Sequence, residues 1–140
     1  MGKINWNRVL LGGLLAGVVL NVVDYVVYGV VLAEDLNAAL VALGKSGMDM
    51  SQIWWFVLLD FVYGIFLIWL YAAIRPRFGP GPRTAVIAGL AFWVLAGLLH
   101  ALAEAPMGLL PVRIMVIGTA VALVVLPLAA VAGAKIYQEM

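Results

Sequence analysis

The sequence predicts an all-α integral membrane protein: an antiparallel four-helix bundle with a short surface helix in the first extracytoplasmic loop. Of its 140 residues, 66% are hydrophobic and only 11% are charged, whereas soluble domains are about half apolar and about a quarter charged. Four apolar stretches reach the roughly 20 residues that a helix needs to cross the hydrocarbon core. The length fits one domain, so we expect residues 1–140 to form a single membrane domain.

The predicted spans cover about residues 9–33, 52–74, 84–104 and 112–135. Three leucines at helical spacing between the first two spans predict the surface helix: Leu36, Leu40 and Leu43. Asp35 could cap the start of this helix and Gly44 could end it. The next connection, residues 75–83, is rich in Arg, Pro and Gly, and is predicted to be a stiff segment that no helix crosses.

Basic residues predict the orientation of the bundle. Six of the eight fall on one side of the predicted membrane: Lys3, Arg8, Arg75, Arg77, Arg83 and Lys135. The positive-inside rule then places both termini and the second loop in the cytoplasm. The first apolar run is too long for a signal peptide, so we expect a retained span in a multi-pass protein of the inner (cytoplasmic) membrane.

Composition excludes several kinds of site and partner. The chain has no cysteine, which excludes disulfides, iron–sulfur clusters and Cys-ligated zinc. A single histidine excludes bis-histidine haem ligation within one chain, and the sequence identifies no other cofactor. The net charge of +1 and the lack of any nucleic-acid motif argue against nucleic acid as a partner. The expected partner is the lipid bilayer.

Ionisable residues inside three of the spans are the main indication of function. Asp24, Asp60 and His100 are predicted at similar depth in the outer half of the membrane, with Glu104 near the outer rim. A charge at this depth costs about 2.5–3.5 kcal/mol on insertion scales. Asn21 and Tyr28 share a helix face with Asp24. These six residues are therefore the candidate ligand- or ion-binding residues.

Several chemistries could use this cluster. Buried carboxyl groups could bind or translocate a proton or a cation, and a small ligand could occupy the same pocket. Asp60, His100 and Glu104 could instead hold a divalent metal, since His100 and Glu104 have the i, i+4 spacing of helical metal ligands. We favour a non-enzymatic binding or transport protein. The metal itself is not specified by the sequence.

Alternative interpretations stay open from the sequence alone. The polar residues could serve only as hydrogen bonds between helices, or the chain could be an accessory subunit of a larger membrane complex. An intramembrane enzyme using Asp–His chemistry is the third alternative, although no catalytic motif accompanies it. The small-residue motif formed by Gly13 and Gly17 suits close helix packing and also permits a homodimer.

Two segments resemble a group of small, uncharacterised bacterial membrane proteins. They are Asn5-Trp6-Asn7-Arg8-Val9-Leu10-Leu11-Gly12-Gly13 and Ala73-Ile74-Arg75-Pro76-Arg77-Phe78-Gly79-Pro80-Gly81-Pro82. The resemblance implies a four-span protein of the bacterial inner membrane, and it supplies no activity or catalytic residue. The chain is less similar to small multidrug transporters, which have shorter loops and a glutamate where this chain has Asp24.

Overall fold

The computed structural model describes residues 3–139, and these form a helical bundle without a strand. The α-helices are α1 (Trp6–Val26), α2 (Ala33–Ala42), α3 (Met50–Phe78), α4 (Pro82–Phe92), α5 (His100–Glu104) and α6 (Val112–Ala134). Two π-helical segments, π1 (Val27–Val31) and π2 (Trp93–Leu99), follow α1 and α4, and a 3₁₀ turn, Ala105–Met107, follows α5.

Four continuous helical stretches are long and apolar enough to cross a membrane: Trp6–Val31, Met50–Phe78, Pro82–Met107 and Val112–Ala134. Each overlaps one of the predicted spans. The all-α fold class of a four-helix membrane bundle is therefore confirmed, and the four apolar helices indicate a multi-pass membrane protein.

The second connection is shorter than predicted. Helix α3 runs through Pro76 and ends only at Phe78, so the prediction that no helix crosses this segment is wrong. Pro76 has no N–H to donate to the Ala72 carbonyl, so the helix lacks one intrahelical hydrogen bond there and continues for two more residues. The N–H of Gly79 donates to the carbonyl of Arg75 at 2.8 Å and closes the helix. Gly79 has a φ of 83°, a left-handed conformation that favours glycine at a helix end.

The surface helix is present but begins earlier than predicted. Helix α2 follows π1 after the single residue Leu32, so Asp35 lies in its first turn instead of capping it. A carboxylate oxygen of Asp35 lies 3.3 Å from a guanidinium nitrogen of Arg113 at the start of α6. Gly44 follows the helix end with a φ of 75°, as predicted for its C-terminus.

Helices α1 and α3 approach each other at glycines. A Cβ atom added to Gly13 would collide with the backbone of Ile65, and one added to Gly17 would lie 2.5 Å from the ring of Phe61. A Cβ atom on Gly64 would in turn strike the Gly13 carbonyl oxygen. The small-residue motif thus packs within the chain, as small residues allow in membrane helices. It leaves no free surface there for the suggested homodimer.

Helix α6 uses glycine contacts in the same way. An added Cβ atom on Gly12 would lie 2.6 Å from the carbonyl oxygen of Gly133, which joins α1 to α6. One on Gly89 would lie 2.5 Å from the Cα of Pro127, which joins α4 to α6. All four transmembrane stretches therefore meet backbone to backbone in the half of the bundle that carries both termini.

Burial is distributed unevenly along the bundle axis. We call the half with both chain ends the termini half and the other the α2 half. The main buried cluster lies in the termini half, and includes Val9, Ala16, Leu67, Ile68, Ala85, Ala88, Ala129 and Ala130. The α2 half has only a small cluster, of Val27, Leu32, Ala39 and Ile114. Between Trp93 and Met107 no residue is buried.

The two ends of the chain meet around Tyr137. Its hydroxyl accepts a hydrogen bond from the backbone N–H of Asn5 at 3.4 Å, and its ring packs edge-on against Tyr71 with centroids 5.8 Å apart. The guanidinium of Arg75 lies 5.5 Å from the centre of the Tyr137 ring and 3.4 Å from a carboxylate oxygen of Glu139. These contacts fasten the C-terminal segment to α1 and α3.

Candidate functional site

Two carboxyl groups meet inside the α2 half. The side chains of Asp24, on α1, and Asp60, on α3, lie within hydrogen-bonding contact of each other. Asp60 is only 7% exposed, and Asp24 is half-buried. The ion pairs within residues 3–139 involve other side chains, so no basic group neutralises either one. Asp24 and Asp60 therefore lie at the same level of the bundle.

A hydrogen bond between two carboxyl groups has a simple chemical requirement. An ionised carboxylate only accepts, so one of the two groups must carry a proton to act as donor. If both were ionised, two like charges would face each other with little water, which is strongly unfavourable. The Asp24–Asp60 pair is therefore built to hold one proton and one negative charge.

Asn21 joins this pair to the helix interface one turn away. Its side-chain amide donates to the backbone carbonyls of Gly17 on its own helix at 3.0 Å and of Val57 on α3 at 3.3 Å. The amide thus bridges α1 and α3 next to Asp24. It serves as a helix–helix hydrogen bond, which fixes the positions of the two aspartates relative to each other.

Tyr28 is the last residue of the site. It is the second residue of π1, and its side chain faces α6. Its ring belongs to the small buried cluster of the α2 half, and a Cβ atom added to Gly118 on α6 would collide with its hydroxyl. The absent side chain of Gly118 provides the room that Tyr28 needs.

A small hollow beneath α2 begins at the same tyrosine. It has a volume of about 200 Å³. Its lining residues are Tyr28, Ala33, Leu36, Asn37, Leu40 and Met48. Tyr28 thus lies both in this hollow and against the small buried cluster of the α2 half, whereas neither Asp24 nor Asp60 lines the hollow.

His100 and Glu104 do not join the carboxyl pair. They contact each other at 3.3 Å, with side chains 64% and 41% exposed. Among residues 3–139, no group of three or more His, Cys, Asp or Glu side chains is arranged to hold a metal ion. The predicted metal set of Asp60, His100 and Glu104 is therefore not assembled.

The π2 segment explains why His100 was misplaced by sequence reasoning. Hydrogen bonds in a π-helix close from i to i+5, so each turn holds an additional residue. One additional residue rotates everything after it by about 100° relative to an unbroken α-helix. The predicted cluster of Asp24, Asp60 and His100 assumed an unbroken helix before His100, and the rotation at π2 turns His100 outward.

Trp93, which is not among the candidate residues predicted from the sequence, links the third transmembrane stretch to α6. Its indole N–H donates to the backbone carbonyl of Thr119 on α6 at 2.9 Å. Its ring lies over Gly97 in π2 just as Tyr25 lies over Gly29 in π1, with ring atoms 2.9 and 3.3 Å from the added Cβ positions. Each π segment therefore has, in its sequence, an aromatic residue four positions before a glycine. This spacing is the sequence feature from which both π segments could have been predicted.

No protein-family model matches the chain, and neither a curated protein nor a solved structure is similar enough to match it. The resemblance to small bacterial inner-membrane proteins therefore stays a prediction. Function has to be argued from the carboxyl pair and its surroundings alone.

Proposed function

We propose that this chain is a membrane binding or transport protein that takes up and releases a proton at the Asp24–Asp60 pair, reached from the α2 end. The observation that carries the proposal is the contact between two carboxyl groups with no basic partner. A purely structural pair would be served equally well by an Asn–Asn hydrogen bond, without the cost of placing ionisable groups in the membrane.

The surroundings of the pair support reversible proton binding. The backbone around Asp24 is fixed by Asn21, whereas π1 begins only three residues later. Insertions of the π type are frequent at functional sites, because they interrupt the regular helix. Coupling proton binding to a motion requires a fixed proton site next to a segment that can change its conformation. Asp24 and π1 have this arrangement.

Infrared difference spectroscopy of the protein in lipid nanodiscs tests the proton directly. We expect a protonated-carboxyl C=O band that shifts in D₂O and titrates with pH. It should be absent in both Asp24→Asn and Asp60→Asn, because either amide leaves the remaining carboxylate with a permanent donor. Asp35→Asn is the matched control, since Asp35 pairs with Arg113. An unchanged band in Asp60→Asn would remove the basis of the proposal.

We further propose that the α2 end faces outward and both termini face the cytoplasm, in the bacterial inner membrane. The chain has no cysteine, so single-cysteine labelling is free of background. Ser46→Cys should react with an impermeant maleimide in intact cells, and Pro80→Cys only after permeabilisation. The reverse pattern would place the access route of the carboxyl pair on the cytoplasmic side.

A second candidate function is that of an accessory subunit. It is favoured by the outer part of the third span, where the stretch from Trp93 to Met107 buries no residue and exposes the His100–Glu104 pair. Polar pairs facing lipid are costly unless they reach the interface or a partner. Stoichiometric co-purification of another protein, lost in a His100→Leu/Glu104→Leu variant, would support this function. Purification without any partner would count against it.

A further inference from the structure

We propose that a groove between α1 and α3 binds one anionic phospholipid, with an acyl chain along the groove and the phosphate at Arg77. The groove has a volume of about 380 Å³ and opens on the outside of the bundle. Its lining residues are Trp6, Val62, Ile65, Phe66 and Trp69. Such largely apolar walls offer no partner to a polar group, so the part of the ligand that lies between them is hydrocarbon.

The groove follows the line along which α1 and α3 meet. Because Gly13 has no side chain, α1 comes against the backbone of Ile65. On α3, the ring centre of Phe66 lies 5.1 Å from that of Trp69 and 5.6 Å from that of Phe92 on α4. The aromatic wall of the groove is therefore held in place by neighbouring rings, and the groove exists before a ligand enters it.

Two indole N–H groups at the groove are available to a polar atom of the ligand. Within residues 3–139, neither Trp6 nor Trp69 donates a hydrogen bond to the protein, whereas Trp93 donates to the Thr119 carbonyl. An indole N–H can only donate, and tryptophans of membrane proteins are enriched at the level of the lipid head groups. The ester and phosphate oxygens of a phospholipid are the acceptors found at that level.

Arg77 supplies a positive charge beyond the apolar part of the groove. It follows Phe66 by eleven residues, which is three helical turns plus about 20°, so both lie on one face of α3. Arg77 is exposed, and the ion pairs within residues 3–139 involve other side chains, including that of Arg75 with Glu139. A guanidinium group binds phosphate through paired hydrogen bonds. The head group of the ligand is therefore anionic.

The length of the site matches a phospholipid in one leaflet. Val62 and Arg77 are fifteen residues apart, which is about 22 Å along a helix. Half of a bilayer with its head groups is about 20–22 Å thick. A phosphate at Arg77 thus places the end of an acyl chain near Val62. A free phosphate ion would leave the groove empty, and a zwitterionic lipid would bring its own cation to Arg77, whereas an anionic phospholipid uses both parts of the site.

Native mass spectrometry of the full chain with an equimolar mixture of phosphatidylglycerol and phosphatidylcholine, with matched acyl chains, tests the charge. We expect one retained phosphatidylglycerol per chain and a preference of at least about tenfold over phosphatidylcholine. Arg77→Gln should abolish this preference. Arg83→Gln is the matched control, since Arg83 is also exposed at the same end of the bundle, and it should keep the preference. Equal losses in both variants would overturn the inference, because any basic surface attracts anionic lipid.

A second pair of variants tests the groove. Val62→Trp fills it and should lower the retention of phosphatidylglycerol at least about tenfold. Val116→Trp, on α6, should not, although Val116 is 59% exposed and Val62 is 58% exposed. Retention by Val62→Trp at the level of wild type would overturn the inference, since the acyl chain would then lie elsewhere. Equal retention of the two lipids by wild type would also overturn it, because the groove would then hold only ordinary bilayer lipid.

Discussion

The two halves of the bundle hold their helices together by different means. In the termini half, backbones meet at glycines such as Gly64 and Gly133, and alanines fill the spaces between them. In the α2 half, polar and aromatic side chains of Asn21, Tyr28 and Trp93 span the gaps between helices. Both of the π segments that follow α1 and α4 lie in this second half.

This difference follows from what stabilises helices in lipid. Without a hydrophobic driving force between them, membrane helices associate through close van der Waals packing or through hydrogen bonds. Close packing gives a rigid contact that a single added methyl group disturbs. A side-chain hydrogen bond holds two helices without close backbone contact, and the hollow beneath α2 lies in this half. The α2 half is therefore the part of the molecule suited to a motion.

Gly64→Ala should give the largest effect and tests the close packing of the termini half. The new Cβ atom would strike the Gly13 carbonyl oxygen and lie 2.5 Å from the Gly17 nitrogen. Because backbone atoms cannot rotate away, we expect a loss of about 1–3 kcal/mol in the free energy of unfolding, measured by detergent-induced unfolding. Gly29→Ala is the control, since it meets only the exposed ring of Tyr25. Equal losses in both variants would contradict the distinction between the halves.

Trp93→Phe should have an intermediate effect and tests the hydrogen bonding of the α2 half. The substitution removes the indole donor to the Thr119 carbonyl, a contact worth about 0.6–2 kcal/mol between membrane helices. We expect faster hydrogen–deuterium exchange in residues 93–107 and unchanged exchange in the termini half. Trp54→Phe, at an exposed position, provides the control. Faster exchange throughout the bundle would show that the two halves are not independent.

The smallest effect is expected at Asp49, which caps α3 in the α2 half. The Ser51 hydroxyl and the Gln52 backbone N–H both donate to its carboxylate and lower its pKa. Because the folded pKa is depressed, the capping contribution is present above the ordinary pKa of an aspartate and is lost as the pH falls through the folded value. Exchange in the first turn of α3 should therefore rise in acid. Asp49→Asn should abolish this pH dependence, and a dependence that persists would assign it to another group.

Regular helices made part of this architecture predictable. Since α1 and α3 are unbroken at Asp24 and Asp60, counting residues from the span ends placed both carboxyl groups at one depth. The face on which His100 lies could not be predicted in this way, because π2 rotates the residues that follow it. The helix end at Pro76 was predicted wrongly for another reason: proline is typical of helix ends in sequence patterns, but α3 continues through it. A long apolar stretch in the sequence predicts the length of a span. It does not predict where a π segment interrupts the helix or at which residue the helix ends.

The contact of Tyr137 with Asn5 and Arg75 has a consequence for biosynthesis. Helix α1 packs chiefly on α3, and α4 chiefly on α6, so the first pair can form while the second is still on the ribosome. Tyr137 follows the fourth transmembrane stretch, so its contact with Asn5 cannot form before all four stretches have been made. Closure of the bundle is thus a late step, and two fragments divided at the loop 79–81 should be able to reassemble in the membrane.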